Sequence, residues 1–132
     1  MARVQVKQPA KKNKKMISTG SGRVYVSTTF NNTLVTITNE KGDAISWSSS
    51  GNMGYKGTRK STPFAATQAV DEALKKAKEV GLQNVEVYIK GPGVGRDAAL
   101  RAVRNSGLSI SMIADVTPIP HNGTRPKKKR RV

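Results

Sequence analysis

The chain has 132 residues, enough for one modest core, with 36% apolar residues and no cysteine, so disulfides and thiolate metal sites are excluded. No run approaches the roughly 18 apolar residues of a membrane helix, and the amino terminus MARVQVKQPAKKNKK lacks the apolar stretch of a secretory signal. Lys and Arg number 24 against 8 Asp and Glu, a net charge of +16.

That charge is concentrated at the ends. Residues 1 to 15 hold six cations (Arg3, Lys7, Lys11, Lys12, Lys14, Lys15) and no acid. Residues 121 to 132 hold six more (Arg125, Lys127, Lys128, Lys129, Arg130, Arg131), again with no acid, which leaves the middle at only +4. The chain therefore divides into a basic extension over 1–17, one folded domain over 18–120 and a second basic extension over 121–132. Arms of this kind repel themselves in water and cannot build a core. They can lie along a polyanion and release its counterions, and two on so small a domain point to nucleic acid.

In chain order, GRVYVSTTF (22–30) is rich in β-branched and aromatic residues, with Val24, Val26 and Phe30 expected on one inward face. Asn31 and Asn32 supply a turn through their tolerance of positive φ. TLVTIT (33–38) is the returning strand, EKGD (40–43) a second turn, and AISWSS (44–49) a third strand, giving an antiparallel meander. A glycine-rich, cationic loop follows. A helix then starts at Thr62, a cap with Pro63 in the first helical position, and stops at Gly81. Its apolar stripe is Ala66, Val70, Ala73, Leu74 and Ala77. Because those side chains are small, the helix is expected to sit close to a sheet. On its other side Asp71 faces Lys75, and Glu72 faces Lys76. NVEVYIK (84–90) alternates as a fourth strand, with Val85, Val87 and Ile89 inward. GPGVGR (91–96) turns into a second helix from Asp97 to about Asn105, with Gly107 as its stop. LSISMIADVT (108–117) is a fifth strand, ended by Pro118 and Pro120.

The order β-β-β-α-β-α-β predicts an α/β domain with a mixed five-stranded sheet. The first half is antiparallel, the second half has right-handed parallel crossovers, and the helices pack on the sheet's faces.

Four segments carry candidate chemistry. GPGVGR joins a strand end to a helix start, where backbone N–H groups and the helix dipole favour an anion, and Arg96 adds a full charge. Its glycines, Gly91, Gly93 and Gly95, do not make a dinucleotide fingerprint, and no triphosphate-binding loop occurs. They mark a tight turn that also suits contact with nucleic-acid phosphate. Arg101 and Arg104 lie three apart on the second helix, away from Ala99, Leu100 and Val103. The loop GNMGYKGTRKST sets Tyr55 among Lys56, Arg59 and Lys60, an arrangement that can stack an unpaired base while holding phosphates. The chain ends HNGTRPKKKRRV, whose last seven residues, PKKKRRV, look both like a nuclear-import signal and like a cation run for a phosphate backbone. Within it, Asn122-Gly123 is a candidate for isoaspartate formation, because glycine leaves the Asn carbonyl open to the next backbone nitrogen.

Enzyme readings find little support. His121 is the single histidine and lies beside the tail, and the scattered acids do not offer the converging ligands that two-metal phosphodiester hydrolysis needs. No catalytic residue, cofactor, metal or small-molecule substrate is expected. A DNA-compacting or nuclear regulatory protein would carry a DNA-reading element such as a helix-turn-helix or basic zipper, and none is visible.

The stretches TFNNTLVTIT, GYKGTRKSTPFAA, GPGVGR and PIPHNGTRP with its basic tail closely resemble the bacterial-type family of small-subunit ribosomal protein eleven. The likeness runs from about Arg23 to Val132. Two departures stand out: Thr124 where a cysteine is usual, and Lys127 where a second proline is usual. The resemblance implies a ribonuclease-H-like fold without nuclease activity and a cytoplasmic place on the platform of the small ribosomal subunit. It implies binding to ribosomal RNA, ribosomal proteins seven and eighteen as neighbours, and a part in the cleft for the Shine–Dalgarno helix of mRNA. The RNA-contacting regions it implies are Asn31 and Asn32, Tyr55 through Lys60, Gly91 through Arg96, and the tail from His121, with Asn122 the isoaspartate candidate. PKKKRRV then reads as an RNA-penetrating extension, with Pro126 restricting the backbone before the cations begin.

Overall fold

Seven regular elements build the domain in the order the sequence pattern predicts. In the computed structural model, which describes residues 20–129 and 131, they are β1 (Ser21–Thr28), β2 (Thr33–Asn39), β3 (Ala44–Ser49), α1 (Pro63–Glu79), β4 (Asn84–Lys90), α2 (Gly95–Asn105) and β5 (Ser109–Asp115). A short 3-10 helix, Gly57–Ser61, precedes α1. The amino-terminal cations Lys11, Lys12, Lys14 and Lys15, and Arg130, lie outside the described residues.

The five strands form one sheet in the order β3-β2-β1-β4-β5. β1 and β2 pair antiparallel, as do β2 and β3, whereas β1 with β4 and β4 with β5 are parallel. The mixed sheet expected from the element order is thus present. Val24 sits opposite both Ile37 and Val87, and Val26 opposite both Val35 and Ile89, so one face presents a continuous aliphatic surface. All six side chains are buried, and each contributes about 1.5–3 kcal/mol relative to exposure.

The helices expected on the sheet's faces lie side by side over this one. Both crossovers, β3 to β4 and β4 to β5, move in the same direction along the sheet. Two right-handed crossovers in one direction must leave their helices on the same side. Ala69, Val70, Ala73, Leu74 and Ala77 of α1 and Ala99, Ala102 and Val103 of α2 complete a single core with the strands. Alanine lets α1 approach closely enough for the buried Ser46 hydroxyl of β3 to donate to the Ala73 carbonyl at 2.8 Å. The helix begins as its sequence indicates, with Thr62 Oγ1 accepting from the Ala65 amide and Pro63 at the first position. Of the two expected acid–base pairs on its outer face, Glu72–Lys76 closes at 3.5 Å; Asp71 and Lys75 are not in ion-pair contact.

Among the described residues no helix packs on the opposite sheet face. Tyr25 and Tyr88 stack on it at 5.3 Å, Arg23 pairs with Glu86 at 3.5 Å, and Trp47 is 60% exposed.

Helix α2 starts at Gly95, two residues before the expected Asp97, and expectations at the β1–β2 turn also differ from the structure. β1 ends at Thr28, so Phe30 is not an inward strand residue but part of the turn, 74% exposed. That turn does not use positive φ at Asn31 or Asn32. Thr29 closes it instead: its amide donates to the Asn32 carbonyl at 2.9 Å, and its hydroxyl oxygen accepts from the amides of Asn31 and Asn32.

Candidate nucleic-acid interface

Because β1, β3, β4 and β5 all run parallel to one another, their carboxyl ends meet at one end of the sheet. Four chain segments leave from there: the β1–β2 turn, the cationic loop after β3, the GPGVGR turn after β4 and the tail after β5. Ligand sites of open α/β sheets form at such an edge, where loops converge and helices begin. Both α1 and α2 begin there, and Ala66 of α1 lies against Gly95 of α2.

The segments are joined by specific contacts. Thr28 Oγ1 donates to the Gly91 carbonyl at 3.0 Å, and the Gly91 amide donates to Thr117 Oγ1 at 3.1 Å. The Ser50 amide donates to the Thr33 carbonyl at 3.1 Å. Asn31 and Asn32, the GPGVGR turn and the start of the tail are therefore one surface.

The glycines of the turn, singled out as phosphate-facing backbone, have a packing reason for being there. Gly91 has φ +91, and a Cβ on it would come within 2.2 Å of the Thr28 carbonyl oxygen. At Gly93 a Cβ would stand 2.8 Å from the Thr29 carbonyl oxygen and 3.2 Å from Thr28 Cβ, so this residue is pressed against the end of β1. At Gly95 a Cβ would stand 2.5 Å from Thr33 Oγ1 and 3.1 Å from Ala66 Cβ, and Gly95 itself is buried. Only residues without side chains let the turn dock on β1 and α1. Gly91, Gly93 and Gly95 thus serve the fold first. Gly91 and Gly93 are both half-buried, so these two also remain within reach of a ligand, whereas Gly95 faces inward.

Arg96 is held rather than free. One guanidinium nitrogen donates to the Gly91 carbonyl at 3.2 Å, and the other meets Asp115 Oδ2 at 2.9 Å. Asp115 also accepts from the Thr117 hydroxyl and amide. The Thr117 hydroxyl bond, followed by Arg96, holds the Asp115 carboxyl down at about 2. Arg96 thus ties the turn to the end of β5 and offers its remaining exposed edge to a ligand. No side chain caps the amino terminus of α2, whose first turn contains Asp97.

In the loop, Lys56 and Arg59 are exposed and Lys60 is half-buried. Tyr55, singled out as a stacking residue, is half-buried against α1: its hydroxyl donates to Gln68 Oε1 at 2.7 Å, and its ring meets Phe64 edge-on at 6.5 Å. Phe64 is 63% exposed, and Phe30 and Val94 are exposed at the same end. Sequence reasoning missed Phe30 and Phe64 as surface groups and had Val94 only as part of the GPGVGR segment. The signal available was position, since each lies in a turn or in the first turn of a helix, outside the inward strand periodicity.

Arg101 and Arg104 are exposed on α2. They lie about 9 and 14 Å along the helix axis from Gly95, so they extend the basic surface down the side of the domain rather than joining the strand-end cluster. His121, Asn122, Arg125, Lys127, Lys128, Lys129 and Arg131 are all exposed. Among the described residues Asn122 alone, glycine apart, has positive φ, at 59°. No group of three or more His, Cys, Asp or Glu side chains is placed to hold a metal among the described residues. The family model described as Ribosomal protein S11 matches residues 22–131, nearly the whole of this domain and its tail.

Proposed function

Because the chain belongs to the ribosomal protein S11 family, and is a non-enzymatic small-subunit ribosomal protein that binds ribosomal RNA, we propose that it grips this RNA with the strand-end surface and two basic extensions. The extensions comprise residues 1–17 and 121–132, flanking a folded unit of 18–120. The observation that carries this reading is the convergence of the β1–β2 turn, the cationic loop, the GPGVGR turn and the tail at one end of the sheet.

The division of labour follows from the physics. Cations of the extensions neutralise phosphates that folded RNA brings close together, and counterion release supplies affinity. Lys11, Lys12, Lys14 and Lys15 serve in one arm, and Arg125, Lys127, Lys128, Lys129, Arg130 and Arg131 in the other. Lys56, Arg59, Lys60 and the remaining edge of Arg96 act from the rigid domain, so they set register. Phosphate contacts carry no sequence information, so selectivity comes from RNA shape and unpaired bases met by the loop tips. This arrangement suits a protein that braces the platform of the small subunit beside ribosomal proteins seven and eighteen and helps line the cleft for the Shine–Dalgarno helix of mRNA, in the cytoplasmic ribosome. Asn122, at positive φ before Gly123, is the residue proposed to form isoaspartate.

The test is the salt dependence of binding to folded small-subunit ribosomal RNA. With about six phosphate contacts, raising salt from about 50 to 200 mM weakens binding roughly a thousandfold. Replacing Lys56, Arg59 and Lys60 together by Ala lowers the log–log slope by roughly 0.7–0.9 for each phosphate no longer neutralised. Binding indifferent to salt, or equally tight binding to duplex DNA, refutes the reading.

A further inference from the structure

Phe64 is the second residue of α1 and is 63% exposed, although seven other residues of the helix, five of them Ala, supply its buried face. A lone exposed Phe requires no explanation, but this ring is braced. Tyr55 packs against it at 6.5 Å with the ring planes at 87°, and the Tyr55 hydroxyl is anchored on Gln68 Oε1 at 2.7 Å. Phe64 and Gln68 are four residues apart, hence neighbours on one helix face, and Tyr55 lies across both. The backbone beneath is set as well, by Pro63 in the first position and the Thr62 cap. An aromatic side chain is thus held in place with much of its surface in water, immediately after Lys56, Arg59 and Lys60.

We propose that Phe64 is a base-stacking residue of the RNA interface, receiving an unpaired base of small-subunit ribosomal RNA on its open surface, and that Tyr55 is the positioning residue behind it. A nucleotide satisfies both features of this patch at once, its π-face meeting the ring while its phosphates meet the neighbouring cations. An apolar protein surface would have to desolvate those cations without compensation. The proposal rests on the RNA-binding reading above but assigns the stacking contact to a residue whose loss leaves the charges untouched.

The experiment compares the full chain with Phe64→Leu and Phe64→Trp for binding to folded small-subunit ribosomal RNA across a salt series. Leucine keeps the helix and an apolar side chain but removes the π-face. Phe64→Leu is expected to weaken binding about 5- to 150-fold at fixed salt, the range of one stacked base, with an unchanged log–log salt slope; Phe64→Trp restores it. Tyr55→Leu weakens binding in the wild-type background and has little further effect on top of Phe64→Leu, the signature of a residue acting through another. Unchanged affinity in Phe64→Leu overturns the assignment, as does a loss accompanied by a lower slope, which would mean that the ring only places cations. A wild-type protein without salt-dependent binding defeats the RNA-binding reading itself, a result distinguishable from either.

Discussion

Replacing Gly91 by Ala tests whether the GPGVGR turn is shaped by the fold or by its ligand. Alanine at φ +91 costs about 1–2 kcal/mol for the left-handed backbone alone. Its Cβ would also stand 2.2 Å from the Thr28 carbonyl oxygen, a clash with backbone that no rotamer change relieves. The turn must move off the end of β1, straining the Thr28–Gly91 and Gly91–Thr117 hydrogen bonds. Overpacking of this kind costs roughly 1–3 kcal/mol, so the sum is about 2–5 kcal/mol, a large part of the 5–15 kcal/mol of a typical domain. Gly42→Ala is the internal control: its φ is +96, but nothing lies within 4 Å of its Cβ position, so it carries the backbone cost alone. Urea unfolding followed by circular dichroism measures both. With a slope of about 1–3 kcal/mol per molar urea, the midpoint of Gly91→Ala should fall clearly below that of Gly42→Ala. Equal losses would refute the close-approach argument. A fully stable Gly91→Ala protein with weakened RNA binding would show that the glycine serves the ligand instead.

Three further outcomes follow from local geometry. Thr62→Ala removes the side-chain acceptor of the Ala65 amide at the start of α1 and should lower stability by about 1 kcal/mol in chemical denaturation. Ala73→Leu forces a larger group between α1 and β3, where Ser46 reaches the Ala73 carbonyl, and should cost roughly 1–3 kcal/mol; a neutral result would show that the helix can lift away freely. The Asp115 carboxyl is depressed to about 2 by Thr117 and then Arg96. A depressed folded-state value means that its stabilisation is fully present above about pH 4 and is lost as pH falls toward 2. The stability difference between the wild type and Asp115→Asn, measured by urea unfolding at pH 6 and pH 2.5, should therefore narrow at the lower pH.

What was legible in the sequence was local. Strand periodicity placed Val24, Val26, Val85, Val87 and Ile89 inward, and all are buried. β3 and β4 have the boundaries read from the sequence, and Thr62, Pro63 and Gly81 bound α1 as cap chemistry requires. Each of these is decided within a few residues by backbone preference or by alternation, which a single chain displays directly.

Contacts between distant segments decided the rest. Nothing near Phe30 says that β1 stops at Thr28, and nothing near Tyr55 says that Gln68 and Phe64 will hold it. The run of Gly91, Gly93 and Gly95 announced a turn, but that Thr28, Thr29 and Thr33 press on it came only with the fold. Arg96 read as a free cation until the fold brought Asp115 beside it, nineteen residues along the chain. That Tyr25, Tyr88 and Trp47 share a face that neither helix covers depends on both crossovers running the same way across the sheet. Periodicity reports which residues of an element face the same side; which side is covered, and what meets at its edge, is set by how the elements are ordered in space.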